Sequence, residues 1–534
     1  MSRVSVRGVV KKMYIMLLMP AILVVLFSPC PAAQLEEIRI ADSRGDWGYP
    51  NPFQHYPRGP GYVRMSWVFD TLIWKDKNGY IPALAEAWSY DSDRMSFFFE
   101  LNPGARWHDG RPLTAEDVAF TIEYFQKHPY GWVSLDDISH SEVKGPHEIE
   151  IFLSRAYSPF ISDVGGTMPI LPRHIWQSVD DPRSYNEPEA YIGSGPYRFM
   201  DFNKAQGTYL YEAFEDYYQG KPMANRLIYV RSGRPMISLT SRQVDLSNIQ
   251  PDMAEPLRKQ GLVVIRDERG WNKKLMINHK KEPFTDVRFR QALAQAIGQQ
   301  EIIDRSHRGF GTPASYGLLT IDHEMYNPDT PSYSFDTNKA RELIRSLGFQ
   351  EDNNSFFHKD GQPLKVELLS STITVGGQNV PDRDGEVIRK QLENAGIHVE
   401  LVSLEQATTD SKVRNWDFDL AISGHGGISG DPRILNEMIS SEYGAGSVNS
   451  ARFDVIPELN TLLKEQMMEM DQDRRKELVY RIQEVYALEL PAISLYYPDS
   501  YSAYNPDKGI EWFYTRGGIS KGIPIPQNKM SLIR

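Results

Sequence analysis

The chain has 534 residues, a net charge of −11 at pH 7 and one cysteine, Cys30. The acidic balance argues against a nucleic-acid partner, and a single cysteine excludes a disulfide framework or a cysteine-based metal site. Hydrophobic residues make up an ordinary 41% of the chain, and its length exceeds the roughly 250–300 residues that one hydrophobic core usually holds, so we expect two or more lobes.

The N-terminus has the pattern of a secretory signal peptide. Basic residues at positions 3, 7, 11 and 12 precede an uncharged apolar run over residues 13–27, which is shorter than a membrane span. We expect cleavage after Ala32 or Ala33; lipidation of Cys30 and an uncleaved anchor are the alternatives. Cleavage after residue 33 would remove four positive and no negative charges, changing the net charge from −11 to −15. The mature chain would then act in the periplasm or at the cell surface.

A short strand at 36–41 leads into a loop over residues 46–61 that is dense in proline, glycine and aromatic residues. Such a loop cannot be helical. Its aromatic and polar side chains either pack beneath the loop or form a stacking wall of a binding cleft, since loops of this length are uncommon without a role. The candidates are Trp47, Tyr49, His55 and Tyr56.

The following segment predicts a short helix over 64–73, a strand over 96–101 and a helix that starts after Thr114. Asp117 stands three residues after Thr114, which is the spacing of a capping box. His108 and Asp109 have the residue types of a catalytic pair, but the turn signal of Asp109-Gly110 explains them better.

The second half alternates helices and strands, which indicates an α/β lobe. Thr285 and Asp336 are predicted to cap amphipathic helices. A third helix over 386–395 ends at Gly396 and precedes a strand over 397–401. Two long helices are predicted near 457–468 and 474–488, followed by a strand over 492–497.

Residues 418–433 read FDLAISGHGGISGDPR and combine three signals. The first part alternates apolar and polar residues, which predicts a β-strand. Four glycines then occur within seven residues, and Asp431-Pro432 has the pattern of a helix start. Loops that leave the carboxyl end of a strand toward a helix are where α/β folds place ligands. A plain tight connection is the alternative, and no phosphate-loop lysine follows.

Five segments resemble the bacterial family 5 extracellular solute-binding proteins, the dipeptide, oligopeptide and nickel receptors of ABC importers. They occur in the family's order over some 300 residues, behind the signal peptide. The segments are RWHDGRPLTAEDVAFTIEYF (106–125), YIGSGPYRF (191–199), EDYYQGKP (215–222), PFTDVRFRQALAQAI (283–297) and DTNKARELIRSLGF (336–349).

The resemblance implies an α/β, two-lobe periplasmic binding protein fold with an additional N-terminal subdomain and a ligand cleft between the lobes. After the signal peptide (1–33), lobe I would take residues 34–284 with the subdomain inserted at about 75–190. Lobe II would take 285–489, and 490–534 would return to lobe I. The lobes would close on a ligand by a hinge motion.

The implied function is capture of a small-molecule or short-peptide ligand and its delivery to the permease subunits of an ABC importer. The protein would be a monomer that needs no cofactor or metal and catalyses no reaction. In the family's peptide receptors the loop before Asp-Pro carries a tryptophan, and an aspartate that pairs with the peptide's amino group. Here His425 and Ile428 occupy those positions, and isoleucine cannot neutralise a buried ammonium.

Either the alignment slips by a few residues or this receptor does not hold a free α-amine in the usual way. An oligosaccharide, an opine, a metal chelate and an N-blocked peptide are therefore alternatives to an ordinary peptide ligand. A secreted hydrolase is a further alternative, and a Gly-x-Ser-x-Gly motif is absent from the sequence. The predicted ligand-binding residues are Trp47, Tyr49, His55, Tyr56, Trp271, Asn272, Arg383, His425, Gly426, Gly427, Ile428, Ser429 and Asp431.

Overall fold

The structure is a computed structural model that describes residues 34–375, 378–444 and 446–533 of the protein. The predicted signal peptide and Cys30 lie outside these residues.

The first of two large sheets joins distant parts of the chain. The sheet has seven strands in the spatial order Val263–Arg266, Tyr501–Tyr504, Leu246–Ile249, Leu35–Asp42, Ala224–Arg231, Thr208–Ala213 and Tyr197–Asn203. Because Tyr501–Tyr504 lies inside this order, the chain returns to the first sheet near its C-terminus.

The second large sheet is built from the later part of the chain. Its strands follow the order Gly311–Pro313, Ala492–Pro498, Trp271–Ile277, Leu420–Gly426, Lys365–Val375 and Gln378–Pro381, and His398–Leu404 also pairs with Lys365–Val375. Lys365–Val375 runs parallel to both His398–Leu404 and Leu420–Gly426. Helices connect these parallel strands, as the alternating pattern of the sequence predicts.

Smaller sheets complete the strands of the fold. A four-stranded antiparallel sheet contains Ala85–Asp91, Ser96–Leu101, Glu148–Leu153 and Ile138–Gly145. A two-stranded sheet pairs Ile73–Lys75 with Tyr80–Pro82, and a three-stranded sheet contains Gln350–Glu351, Phe357–Lys359 and Gln362–Pro363.

The α-helices of the described residues are Gly59–Ser66, Ala115–Lys127, Arg173–Trp176, Pro235–Thr240, Ala254–Lys259, Val287–Ala296, Gln299–His307, Thr337–Ser346, Arg383–Asn394, Gln406–Arg414, Arg433–Ile439, Ser441–Gly444, Pro457–Met468 and Gln472–Glu489. None of them is both long enough and apolar enough to cross a membrane.

Local capping signals predicted several helix starts. The capping box of Thr114 and Asp117 is present, and the Asp336 carboxylate accepts from the Asn338 and Lys339 amides. The prediction of Thr285 as a cap is wrong by one residue, because the Asp286 carboxylate accepts from the Arg288 amide at 2.8 Å. Aspartate and threonine are both good caps, so their adjacency made the position ambiguous.

The predicted helix over 64–73 is wrong. The helix is Gly59–Ser66, with Pro60 in its first turn, so it begins inside the loop that was expected to be free of helix. Ile73–Lys75 is instead a strand, because it pairs with Tyr80–Pro82. A three-residue strand is too short for its periodicity to distinguish it from the end of a helix.

Two large hydrophobic cores underlie the two sheets. The first contains Ile38, Tyr209 and Leu246 of the first sheet together with residues of the C-terminal tail such as Trp512. The second contains Leu275, Leu420 and Ile493 of the second sheet. The fold is therefore a two-lobe α/β fold, and we call the parts built on the first and second sheets the first and second lobes.

Candidate ligand-binding site

A cavity of about 770 Å³ opens at the carboxyl ends of the parallel strands of the second sheet. Strand Leu420–Gly426 pairs with Lys365–Val375 only at Leu420 and Ala421, and the two strands then separate. Ser371 and Thr372 line one side of the opening, and Ser423 to Gly427 line the other. Segments 44–60, 132, 162–163 and 520–525 cover it from the first half of the chain and the C-terminal tail.

Trp271 lies against the glycine-rich strand end and faces this cavity with 44% of its surface exposed. A Cβ atom on Gly424 would stand 2.6 Å from Trp271 Nε1, and one on Gly426 would stand 3.0 Å from ring atom Cε3. Glycine is therefore required here so that the indole can lie on the backbone. The strand, glycine loop and helix start predicted for residues 418–433 are present, with the helix beginning at Arg433.

Gly424→Ala is expected to displace the Trp271 ring, because the new methyl group and the indole cannot both occupy their positions. Near-UV circular dichroism should change in the wild-type background and should not change in a Trp271→Ala background. Gly233→Ala is the matched control, since a Cβ there meets no atom within 4 Å. An equal spectral change in both backgrounds would show that the glycine serves something other than the indole.

The opposite wall carries two aromatic rings in edge-to-face contact and an arginine. The Trp47 and Tyr56 ring centroids are 6.0 Å apart, and Arg44 Cζ lies 4.7 Å from the first and 4.3 Å from the second. Trp47 Nε1 donates to Asp42 at 2.8 Å, which fixes the indole. Such a pair of aromatic rings suits flat groups and the faces of sugars.

One acidic and two basic side chains connect the lobes beside the cavity. The Asp163 carboxylate, fully buried, lies 3.2 Å from Arg433 Nη1 and 3.3 Å from Lys521 Nζ. It also accepts from the Tyr157 hydroxyl at 2.6 Å and the Ser134 amide at 3.2 Å. Burial alone would raise the pKa of Asp163, but Lys521 and Arg433 keep it below its ordinary 3.8. The acid is therefore ionised and fully occupied by protein groups.

Asp431, at the end of the glycine loop, is likewise committed to the protein. Its two carboxylate oxygens accept from Arg475 at 2.6 and 3.0 Å, and one also accepts from the Arg433 amide at 2.8 Å. Burial would raise the pKa of Asp431, but the Arg475 guanidinium lowers it below 3.8. An ammonium group of a ligand would have to compete with this bidentate pair.

Residues 79–447 match the sequence profile described as bacterial extracellular solute-binding proteins, family 5 Middle. The match covers more than half of the chain. The chain belongs to the family 5 extracellular solute-binding proteins. It is 25% identical over 462 residues to heme-binding protein A of Haemophilus influenzae, which covers 80% of each chain. It is 24% identical over 442 residues to the oligopeptide-binding protein AppA of Bacillus subtilis, covering 79% of each.

Solved structures agree with the fold. NikZ from Campylobacter jejuni in complex with Ni(L-His) superposes with a TM-score of 0.75 at 21% sequence identity, covering 91% of this chain and 97% of NikZ. At this identity the likeness shows the fold, whereas the ligand of the present solute-binding protein depends on its own side chains.

The structure brings seven of the predicted ligand-binding residues of this solute-binding protein to the cavity wall. They are Trp47, Tyr56, Trp271, His425, Gly426, Gly427 and Asp431. Burial lowers the pKa of His425 to about 4, so the imidazole is neutral at physiological pH and can offer hydrogen bonds but no charge. Whether these residues contact ligand stays a prediction.

Four predicted residues lie away from the cavity because they serve the fold. Tyr49 packs on Phe202 with ring centroids 5.3 Å apart. His55 is buried and contacts the Tyr130 hydroxyl at 2.9 Å. Asn272 is fully buried and donates to Ser494 Oγ at 3.0 Å. Ile428 is fully buried in a core of the second half of the chain, so it presents nothing to the cavity.

Arg383 and Ser429 also lie outside the cavity wall. Arg383 is exposed at the first position of helix Arg383–Asn394. Ser429 lines a second, smaller cavity of about 420 Å³. The two cavities share Ser162 and Asp431, so they adjoin each other on either side of the turn that ends the glycine loop.

Sequence reasoning missed the charged residues that complete the site. Asp163, Arg433 and Lys521 belong to three distant segments, and no local pattern links them. Trp132 also lines the cavity and packs on Tyr62 with ring centroids 4.8 Å apart. Among the residues that the structure describes, no group of three or more histidine, cysteine, aspartate or glutamate side chains could hold a metal ion.

Proposed function

We propose that this solute-binding protein is the receptor of an ABC importer, which acts as a monomer outside the cytoplasmic membrane and hands a small polar ligand to the permease. The cavity between the lobes would hold the ligand, and the protein would catalyse no reaction. Its relatives by name include heme-, oligopeptide- and dipeptide-binding proteins, so the ligand class within the family is broad.

We also propose where the chain crosses between the lobes. Strands Trp271–Ile277 and Ala492–Pro498 pair within the second sheet, although both fall outside the range 285–489 expected from the sequence. Strands Val263–Arg266 and Tyr501–Tyr504 pair within the first sheet. The crossings would then be residues 267–270 and 499–500, and two short crossings side by side form a hinge.

We further propose that the ligand is not held through a free α-amine at the glycine loop. Two residues support this: Ile428, which stands at the family's anchoring position, and Asp431, the acid at the end of the loop. Ile428 is fully buried in a hydrophobic core, and Asp431 is paired with Arg475. A sugar, opine, chelate or N-blocked peptide meets this condition, and the aromatic rings of Trp47, Tyr56 and Trp271 on the cavity wall suit flat or ring-shaped groups.

Native mass spectrometry of the purified protein tests this proposal, followed by denaturation of the same sample and identification of what it releases. We expect a bound small molecule without a free α-amine, and a lower occupancy in Trp271→Ala than in Gly233→Ala. Release of a peptide with a free amino terminus would overturn the proposed recognition mode. Conversion of the released molecule by the purified protein would overturn the receptor function itself.

A further inference from the structure

Six lysine and arginine side chains are buried in the described part of the protein: Arg64, Lys75, Lys274, Arg290, Arg475 and Lys529. Four of them contact a carboxylate directly, in the pairs Arg64–Asp42, Arg290–Glu489, Arg475–Asp431 and Lys529–Asp70. The two that do not, Lys75 and Lys274, both lie beside the adjoining cavities. Burial of a charge without a partner lowers the stability of the folded protein, so Lys75 and Lys274 differ from the other four in their energetics.

Lys75 is partly compensated. It lines the second cavity, its Nζ lies 4.7 Å from the Tyr80 ring centroid, and it donates to the Gly518 carbonyl at 3.3 Å. Burial lowers the pKa of Lys75, and the more distant charges of Asp431 and Glu324 raise it by a smaller amount. The resulting pKa of Lys75 is about 8. Its positive charge therefore has acidic neighbours within the protein.

Lys274 has no such compensation. Only 1% of its surface is exposed, and burial alone lowers its pKa to about 7, with no acidic side chain acting against it. Its Nζ donates to the Asn449 carbonyl oxygen, which leaves two of three ammonium donors without a protein acceptor among the described residues. A lysine in the middle of a sheet strand with this environment is unfavourable for stability.

The neighbours of Lys274 line the 770 Å³ cavity. Lys274 stands opposite Ser423 in the strand pair, and Ser423 Oγ donates to Asn449 Oδ1. Ser423 and Asn449 both lie on the cavity wall, and the amide nitrogen Nδ2 of Asn449 has no acceptor among the described residues. The Lys274 ammonium therefore lies directly behind Asn449, a residue of the wall that also has this amide donor.

The acids of the cavity wall cannot neutralise Lys274. Asp163, Asp431 and Glu437 contact Arg433, Arg475 and Arg433, respectively. Asp382 pairs at 3.1 Å with Lys273, which precedes Lys274 in the chain and also lines the cavity. Asp410 accepts from Gln406 at 2.7 Å and does not act on Lys274.

Resting on the receptor function proposed above, we infer that the ligand carries an acidic group, a carboxylate or phosphate, which binds at Ser423 and Asn449 and supplies the missing counter-charge of Lys274. Lys274 is thus a specificity-determining residue. In the ligand-free protein the buried charge of Lys274 is unfavourable. A bound anion offsets this cost and a neutral ligand does not, so the protein binds acidic ligands in preference to neutral ones.

Thermal-shift measurements with N-acetylalanine and its neutral amide test this inference, on wild type, Lys274→Met, Lys274→Gln and the control Lys281→Met. Lys281 is exposed, pairs with Asp419 at 3.1 Å and does not line the cavity. Wild type and Lys281→Met should be stabilised more by the acid than by the amide, at equal ionic strength. Lys274→Met and Lys274→Gln should lose that difference. The glutamine variant can still donate to Asn449, so it separates loss of charge from loss of the hydrogen bond.

The ligand-free proteins give a second readout. Lys274→Met should unfold at a higher temperature than wild type, because a buried unpaired charge is removed. A lower midpoint for both Lys274 variants would show a structural lysine and overturn the inference, as would an equal response of wild type and Lys274→Gln to the acid. If denaturation of wild type releases a neutral or cationic molecule, the inference fails while the receptor function stands.

The preference for the acid should also weaken as the pH rises from 6 to 8.5. Lys274, with a pKa of about 7, loses its proton over this range, and only the protonated form attracts an anion. His425, on the neighbouring strand and close enough to feel the charge of Lys274, has a pKa of about 4 and stays neutral. Lys281→Met should keep this pH dependence, and Lys274→Gln should abolish it.

Discussion

Arg475→Met is expected to lower the free energy of unfolding by about 3–5 kcal/mol, because removing one partner of a buried ion pair leaves the other charge uncompensated. Arg475 is 2% exposed and holds both oxygens of Asp431. It also donates to the Gln466 carbonyl at 3.0 Å. Urea denaturation measures the free energy of unfolding. Native mass spectrometry should also show less bound ligand in Arg475→Met, because Asp431 ends the glycine loop that lines the cavity.

Arg481→Met on the same helix is the matched control for this prediction. Arg481 is about half exposed and pairs with Glu458 and Glu484 at the surface, so its loss should change stability by less than about 1 kcal/mol. The double variant Arg475→Met with Asp431→Asn should recover part of the loss, because it removes the unpaired charge. If Arg475→Met is as harmless as Arg481→Met, the pair does not stabilise the loop.

Asp163→Asn is expected to weaken ligand binding by about 30- to 100-fold, which corresponds to roughly 2–3 kcal/mol. Asp163 lies in segment Ile161–Gly165 of the first half of the chain, whereas Arg433 starts a helix of the second half. The neutral amide would leave Arg433 and Lys521 facing each other without a shared anion. Small-angle scattering should then report a more extended average conformation, because the ion pair that joins the lobes is lost.

Asp382→Asn is the control, because it removes a carboxylate of the cavity wall that does not connect the two lobes. Asp382 also lines the cavity, but its partner Lys273 belongs to the same lobe. Its replacement should leave the scattering curve unchanged. Identical scattering of Asp163→Asn and wild type, with ligand removed from both, would rule out a role for Asp163 in holding the lobes together.

Much of the fold follows from local signals in the sequence. The capping residues Asp336 and Thr114, the helix Pro457–Met468 and the strand Ser96–Leu101 all stand where the pattern of side chains predicts them. Family resemblance then supplies the two-lobe arrangement. The errors fall where adjacent residues can do the same work, as at Thr285 and Asp286, or where an element is too short to show a period, as at Ile73–Lys75.

The candidate site was only partly predictable. Residues 418–433 were identified as a strand, glycine loop and helix start, and Trp47, Tyr56 and Trp271 line the cavity. The sequence could not show that Ile428 packs into a core, or that Gly424 is needed for the Trp271 indole. Both depend on contacts with residues far away in the chain.

By itself, the sequence determined the acidic balance, the α/β elements and the family, because periodicity and motifs depend on neighbouring residues. Export and the isoleucine at the amine-anchoring position stay predictions. Only the tertiary structure decided which charges are satisfied. Asp431 meets Arg475 across 44 residues, and Asp163 meets Arg433 across 270. Lys274 meets no acid in the described chain. Pairing and burial of charge arise when distant segments pack together, and for that reason the proposed acidic ligand could be inferred only from the folded protein.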